Sequence, residues 1–180
     1  MPFPNSGQLL PQVADLCWYV VQTLGRNEAV VESALRQKDR EVYLPRITVP
    51  SRRRDRKLFL RLPLFPGYLF VHTVLDAETY LDIRKIKGVV RILGRRGSFE
   101  PVSDETLESI KIMEKSGLPL ITCPPLRRGM RVYVTDGVLA GTQGIIQKRL
   151  KKKHRLVVNV ELFRRAVAVE LDEDVLELRS

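Results

Sequence analysis

The chain has 180 residues, 44% of them hydrophobic, which is enough apolar material for a packed core and argues against wholesale disorder. Lysine and arginine outnumber aspartate and glutamate by 31 to 21, and the resulting charge of +10 favours polyanionic partners through phosphate neutralisation. Cys17 and Cys123 are the only cysteines and stand in no ligand spacing, which argues against a disulfide framework or a zinc site and suits a reducing cytosol.

Residues 1 to 16 mix prolines with polar side chains and lack a basic start followed by an apolar core, so they read as a flexible tail rather than a signal peptide. No apolar run is long enough to span a bilayer, and a soluble, cytoplasmic, monomeric protein with no membrane contact is expected. Trp18 to Thr23 is aromatic and β-branched, as a buried strand is. Asn27 is placed to cap a helix whose apolar stripe comprises Ala29, Val30, Val31, Ala34 and Leu35. Val42 to Leu44 returns to strand character, limited by Pro45 and Pro50. Leu64 to Val71 predicts a further strand, entered through a Pro66-Gly67 kink.

Asp76 predicts the cap of a short helix with Tyr80, Ile83 and Ile86 on one side. Val89 to Leu93 reads as strand, and Gly94 to Gly97 as a hairpin turn. Ser103, followed by Asp104 and Glu105, marks another helix start, with Leu107, Ile110 and Met113 facing inward and Gly117 and Pro119 ending it. Residues 117 to 126 hold three prolines and little periodicity, which makes them the expected linker. Beyond it, five short strands (131–135, 144–148, 156–162, 166–171 and 175–178) suggest a small closed barrel. The coarse expectation is therefore an α+β domain over 17–116, followed by a β-barrel over 127–180.

Three stretches concentrate the positive charge. Arg52 to Arg61 holds six basic residues and one acid, while Arg84 to Arg96 and Lys148 to Arg155 hold six each with no acid. A single such cluster is most simply a solvated loop. Three in one small protein favour phosphate contacts, which fix position without reading sequence. No phosphate-binding loop, His-Glu-x-x-His or Gly-x-Ser-x-Gly pattern occurs, and His72 and His154 read as ordinary half-buried or solvated residues. Neither a cofactor nor a metal nor an enzymatic activity is expected.

The runs Trp18 to Thr23 and Leu64 to Val71 resemble the signature of the NusG N-terminal domain, the NGN domain. The run from Gly129 through Val138-Leu139-Ala140-Gly141-Thr142-Gln143-Gly144-Ile145 resembles a KOW motif, and the resemblance extends over roughly residues 17 to 178. Arg52 to Lys57 leading into Pro63 to Phe70 is more similar to the specialised antitermination paralogues of that family, the RfaH and UpxY types. The resemblance implies an NGN-type antiparallel sheet with helices, followed by a five-stranded SH3-like barrel.

It also implies a transcription elongation or antitermination factor that suppresses pausing or termination, with specific operons as its targets. Such a factor packs an apolar patch on the β′ clamp helices of RNA polymerase and bridges to the β subunit. The matching positions here are Phe65, Tyr68, Trp18 and Phe70; Phe65, beside the kink, is expected to be an exposed anchor, and Trp18 and Phe70 read somewhat more readily as core. Contact with the non-template DNA strand falls on Thr79, Tyr80, Arg84, Lys85 and Lys87, with Arg52, Arg53 and Arg54 adding charge. Phe163 matches the loop of the second domain that meets either Rho or a small-subunit ribosomal protein. An RNA-binding or ribosome-associated KOW protein is the alternative, although it leaves the whole first domain without a purpose.

Overall fold

A computed structural model describes residues 15–51, 59–95, 98–125, 129–149, 153–160, 163–172 and 178–179. In chain order its elements are β1 (Cys17–Thr23), α1 (Glu28–Arg36), β2 (Glu41–Tyr43), β3 (Arg46–Pro50), β4 (Phe59–Pro63), β5 (Tyr68–Thr73), α2 (Ala77–Arg84) and β6 (Val89–Ile92). There follow β7 (Gly94–Arg95), β8 (Ser98–Phe99), α3 (Asp104–Lys115), β9 (Leu120–Cys123), β10 (Met130–Val134), β11 (Gln143–Arg149), β12 (Lys153–Val160), β13 (Arg165–Asp172) and β14 (Leu178–Arg179). The chain forms two compact units: Met1–Leu44 with Pro66–Val102, and Pro45–Phe65 with Ser103–Ser180.

In the first unit the strands form an antiparallel sheet in the order β2-β5-β1-β6. Period-2 alternation sorts its side chains between two faces. Tyr19 and Val21 of β1 and Leu69 and Val71 of β5 share one buried cluster with Val31 and Leu35 of α1 and Ile83 and Ile86 of α2. Each such side chain removed from water contributes about 1.5–3 kcal/mol. The stripe on α1 is narrower than expected, because Val30 is 55% exposed. Asn27 precedes α1 without capping it through its side chain; its amide donates to the Gly25 carbonyl instead.

The opposite face is aromatic. The paired residues Trp18 and His72 stack at 4.6 Å, Phe70 pairs with Val20 and with Tyr43, and the Tyr43 and Phe70 rings lie 6.0 Å apart. A Glu41 carboxylate oxygen lies 2.7 Å from His72 Nδ1. Asp76 caps α2 as expected, its carboxylate accepting the Thr79 N–H at 2.7 Å.

The second unit joins the β3–β4 hairpin and α3 to a six-stranded antiparallel sheet in the order β14-β10-β11-β12-β13-β9. Ser103 caps α3, whose Leu107, Ile110 and Met113 are fully buried. The buried Ser109 hydroxyl donates to the Glu105 carbonyl at 2.7 Å and accepts the Gln143 N–H at 2.9 Å, tying α3 to the start of β11. Gly144 is needed there because a Cβ would lie 2.7 Å from the Val157 carbonyl oxygen across the ladder. Four of the five expected C-terminal strands appear as β10 to β13; of the fifth, expected over 175–178, residues 175–177 lie outside the described residues, and β14 pairs with β10. The segment expected to be a linker carries a sixth, β9, with Ala166↔Cys123 and Val169↔Leu120 in register on β13. The α+β expectation stands, with three α-helices and antiparallel sheets among the described residues.

Candidate functional site

The Pro66-Gly67 kink is built by backbone chemistry. Gly67 adopts φ +84°, a left-handed conformation that glycine enters without a Cβ penalty. Its N–H donates to the Glu28 carboxylate at 2.7 Å, and its carbonyl accepts from the Thr23 N–H at 2.8 Å. Glu28, an acidic residue only 5% exposed, therefore fixes the turn from the first turn of α1.

The aromatic residues around this kink are more buried than the sequence suggested. Phe65, expected to be an exposed anchor, is 1% exposed, which overturns that expectation. Its ring meets Phe163 edge to face, centroids 5.3 Å apart and planes at 78°. Phe163 itself is half-buried in the turn between β12 and β13. Tyr68 is half-buried, whereas Trp18 and Phe70 are buried on the aromatic face of the first sheet. A turn placed Phe65 near the surface in sequence terms, and a distant phenyl covered it.

The expected DNA-contact residues divide into two groups. Arg84, Lys85 and Lys87 are exposed at the end of α2 and just beyond it. Thr79 is only 7% exposed; its N–H goes to Asp76 and its hydroxyl accepts from Arg40 at 3.3 Å. Half-buried Tyr80 packs on Phe99 with centroids 5.1 Å apart. Both are thus occupied in holding α2. Arg52, Arg53 and Arg54 lie outside the described residues.

Two further cations join the exposed set. The Leu24 N–H donates to the Gly88 carbonyl at 2.8 Å, bringing the turn that carries exposed Arg26 beside Lys87. Arg26 sits at φ 64°, unusual for a residue with a Cβ. On β6, exposed Arg91 donates to the Gln22 side chain at 2.9 Å. Arg84 reaches back to the Val90 carbonyl, placing its guanidinium over the same strand. Arg26 was legible only as turn chemistry in Gly25-Arg26-Asn27, with nothing to tie it to a helix some sixty positions on. Arg26, Arg84, Lys85, Lys87 and Arg91 together make a positive rim suited to phosphates. The nearby acid Asp82 is turned to Lys38, at 3.8 Å.

Among the described residues no three His, Cys, Asp or Glu side chains gather as metal ligands, and no helix is long and apolar enough to cross a membrane.

Comparison with known proteins bears on this arrangement. The family profile described as "Transcription termination factor nusG" matches residues 16–111. The transcription termination/antitermination protein NusG of Treponema pallidum is 28% identical over 175 residues, spanning 86% of this chain and 94% of that protein. The protein of the same name from Escherichia coli (strain K12) is 28% identical over 166 residues, spanning 86% and 92%. A solved structure, "Domain interaction in Thermotoga maritima NusG", superposes with a TM-score of 0.54 at 20% identity, covering 93% of this chain and all of that one, and supports the fold.

Proposed function

Because the chain belongs to the NusG family of transcription factors, we propose that it is an elongation and antitermination factor that binds RNA polymerase and suppresses pausing or termination at specific operons. The observation that carries this reading is the positive rim of Arg26, Arg84, Lys85, Lys87 and Arg91, which lies within the stretch the family profile matches. Exposed cations on α2, β6 and the adjoining turns suit a protein that must brace DNA without reading much of its sequence. In this reading the rim faces the non-template strand. Half-buried Tyr68 supplies the apolar contact with the β′ clamp helices, Phe65 adds to it only when its ring is freed from Phe163, and the protein bridges to the β subunit. Trp18 and Phe70, both buried, support that contact as core of the first sheet. Phe163, on the second unit, meets Rho or a small-subunit ribosomal protein.

Clamp closure disfavours the opened, paused enzyme. A factor promotes it only through higher affinity for the closed state. The test is a retention assay on core RNA polymerase combined with read-through of an intrinsic terminator in a purified system. Retention with raised read-through is the expected result. No retention by core polymerase, at low or moderate salt, would sink the proposal.

A further inference from the structure

The β3–β4 hairpin pairs Arg46↔Pro63, Ile47↔Leu62, Thr48↔Arg61, Val49↔Leu60 and Pro50↔Phe59, and among the described residues these strands pair only with each other. The alternation gives the ribbon two unlike faces. One carries Ile47, Val49, Leu60 and Leu62. The other carries Arg46, Thr48, Arg61 and, at its outer end, Phe59. Phe59 is 71% exposed, a large apolar ring held out in water.

A two-stranded ribbon is marginal in water by itself. This one is fixed at its base. The Leu64 N–H donates to the Pro45 carbonyl at 2.8 Å, the Arg46 N–H donates to the Glu114 carboxylate at 3.0 Å, and Leu64 is 1% exposed. The outer end is therefore presented from an anchored base.

We infer that this hairpin is a second nucleic-acid contact, in which Phe59 stacks on an unpaired base of single-stranded DNA and Arg61 meets the flanking phosphates. The inference rests on the reading that the protein works against DNA, and adds a site that the rim on α2 and β6 does not contain. Two properties select this occupant. Neither strand carries an acid, and in sequence the segment joining them has five basic residues and one acid. A purely apolar partner would strip water from Arg61 and return nothing for it. A single strand answers both needs, because every base has a face for a phenyl and every linkage has a charge for a guanidinium. Apolar side chains that insert beside a base step are a known way of holding an opened duplex.

The test is fluorescence anisotropy of the full chain with a labelled oligothymidine strand and with a blunt duplex of the same length. Phe59→Ala is expected to weaken single-strand binding about fivefold or more, with duplex binding kept. Phe59→Trp is expected to restore it. Arg61→Ala is expected to lower the slope of log affinity against log salt by about 0.7 for the single strand. Circular dichroism should show all three variants folded, since neither side chain is buried.

Unchanged single-strand affinity in Phe59→Ala, or an equal loss on blunt duplex, overturns the inference. So does binding of the wild type to phosphatidylglycerol vesicles that Phe59→Ala abolishes while leaving DNA binding intact. Wild-type protein that binds no nucleic acid at all defeats the functional reading as a whole. Normal binding with an indifferent Phe59 defeats the hairpin alone.

Discussion

Phe65 and Phe163 occupy each other: the two rings sit edge to face at 5.3 Å, and Phe65 keeps only 1% of its surface in water. Aromatic pairs in this geometry contribute about 0.5–1.5 kcal/mol beyond the area they bury. A double-mutant cycle in urea, with Phe65→Leu and Phe163→Leu singly and together, is expected to return a coupling energy in that range. A phenyl packed on Phe163 is not available to a second protein. If Phe65 contacts RNA polymerase as proposed, Phe163→Ala should therefore tighten polymerase retention by about two- to tenfold, the same energy read as affinity. Phe65→Ala should weaken it. Retention that ignores both substitutions would remove Phe65 from the polymerase contact.

The kink that follows Phe65 is held by the Thr23 N–H and by one buried carboxylate. Glu28 accepts the Gly67 N–H at 2.7 Å from a site that is 5% exposed. Hydrogen bonds to charged groups contribute about 1.5–3 kcal/mol, so Glu28→Ala is expected to lower unfolding free energy by about that amount. Glu28→Gln, which keeps an acceptor of the same reach, should recover part of it. Gly67→Ala tests the other partner, since φ +84° costs a residue with a Cβ about 1–2 kcal/mol. Urea midpoints measured at constant slope decide all three.

Several of these elements were legible in the sequence and others were not. Strands β1 and β5 announce themselves through β-branched and aromatic runs. The caps Asp76 and Ser103 do so through a short side chain followed by helical periodicity, and both side chains accept the expected N–H. These signals are local. What escaped was long-range pairing. Leu120–Cys123 lies among prolines and reads as linker, yet it completes a sheet edge because β13 offers it a register. Turns are usually exposed, so a phenyl beside Pro66-Gly67 reads as exposed, and only the fold could bring Phe163 to it. Thr79 changed roles, and Arg26 escaped notice, for the same reason. Arg40, distant in sequence, takes the hydroxyl of one, and the Leu24–Gly88 hydrogen bond carries the other to the rim.

The Asp76 cap makes a pH prediction with a definite sign. Hydrogen bonds from the Thr79 backbone N–H, and secondarily from its side chain, hold the Asp76 carboxyl below the ordinary aspartate value. A group whose folded pKa is depressed stabilises the fold above its unfolded pKa, about 3.9, and that contribution is lost as pH falls through the folded value. Thermal melts of wild type and Asp76→Ala should accordingly differ most at neutral pH and converge in strong acid. A gap that stays constant down to the acid limit would mean that the carboxylate charge has no part in the cap.

The rim of cations makes the last prediction, which separates counting charge from placing it. Each phosphate contact removed lowers the salt slope of binding by about 0.9 on duplex DNA and about 0.7 on a single strand. Arg26, Arg84, Lys85, Lys87 and Arg91 are all exposed, so none of them needs to be replaced at a cost to the core. Arg26→Ala is the most informative single change, because only the folded chain puts it beside Lys87. If the rim acts as one surface, Arg26→Ala and Lys87→Ala should each reduce the slope by a similar amount, and the double variant by about the sum. A control at exposed Arg36, which is paired with Glu32 at 2.9 Å on α1, should leave the slope unchanged. If Arg26→Ala behaves like the Arg36 control while Lys87→Ala does not, the binding surface ends at α2 and the turn carrying Arg26 lies outside it.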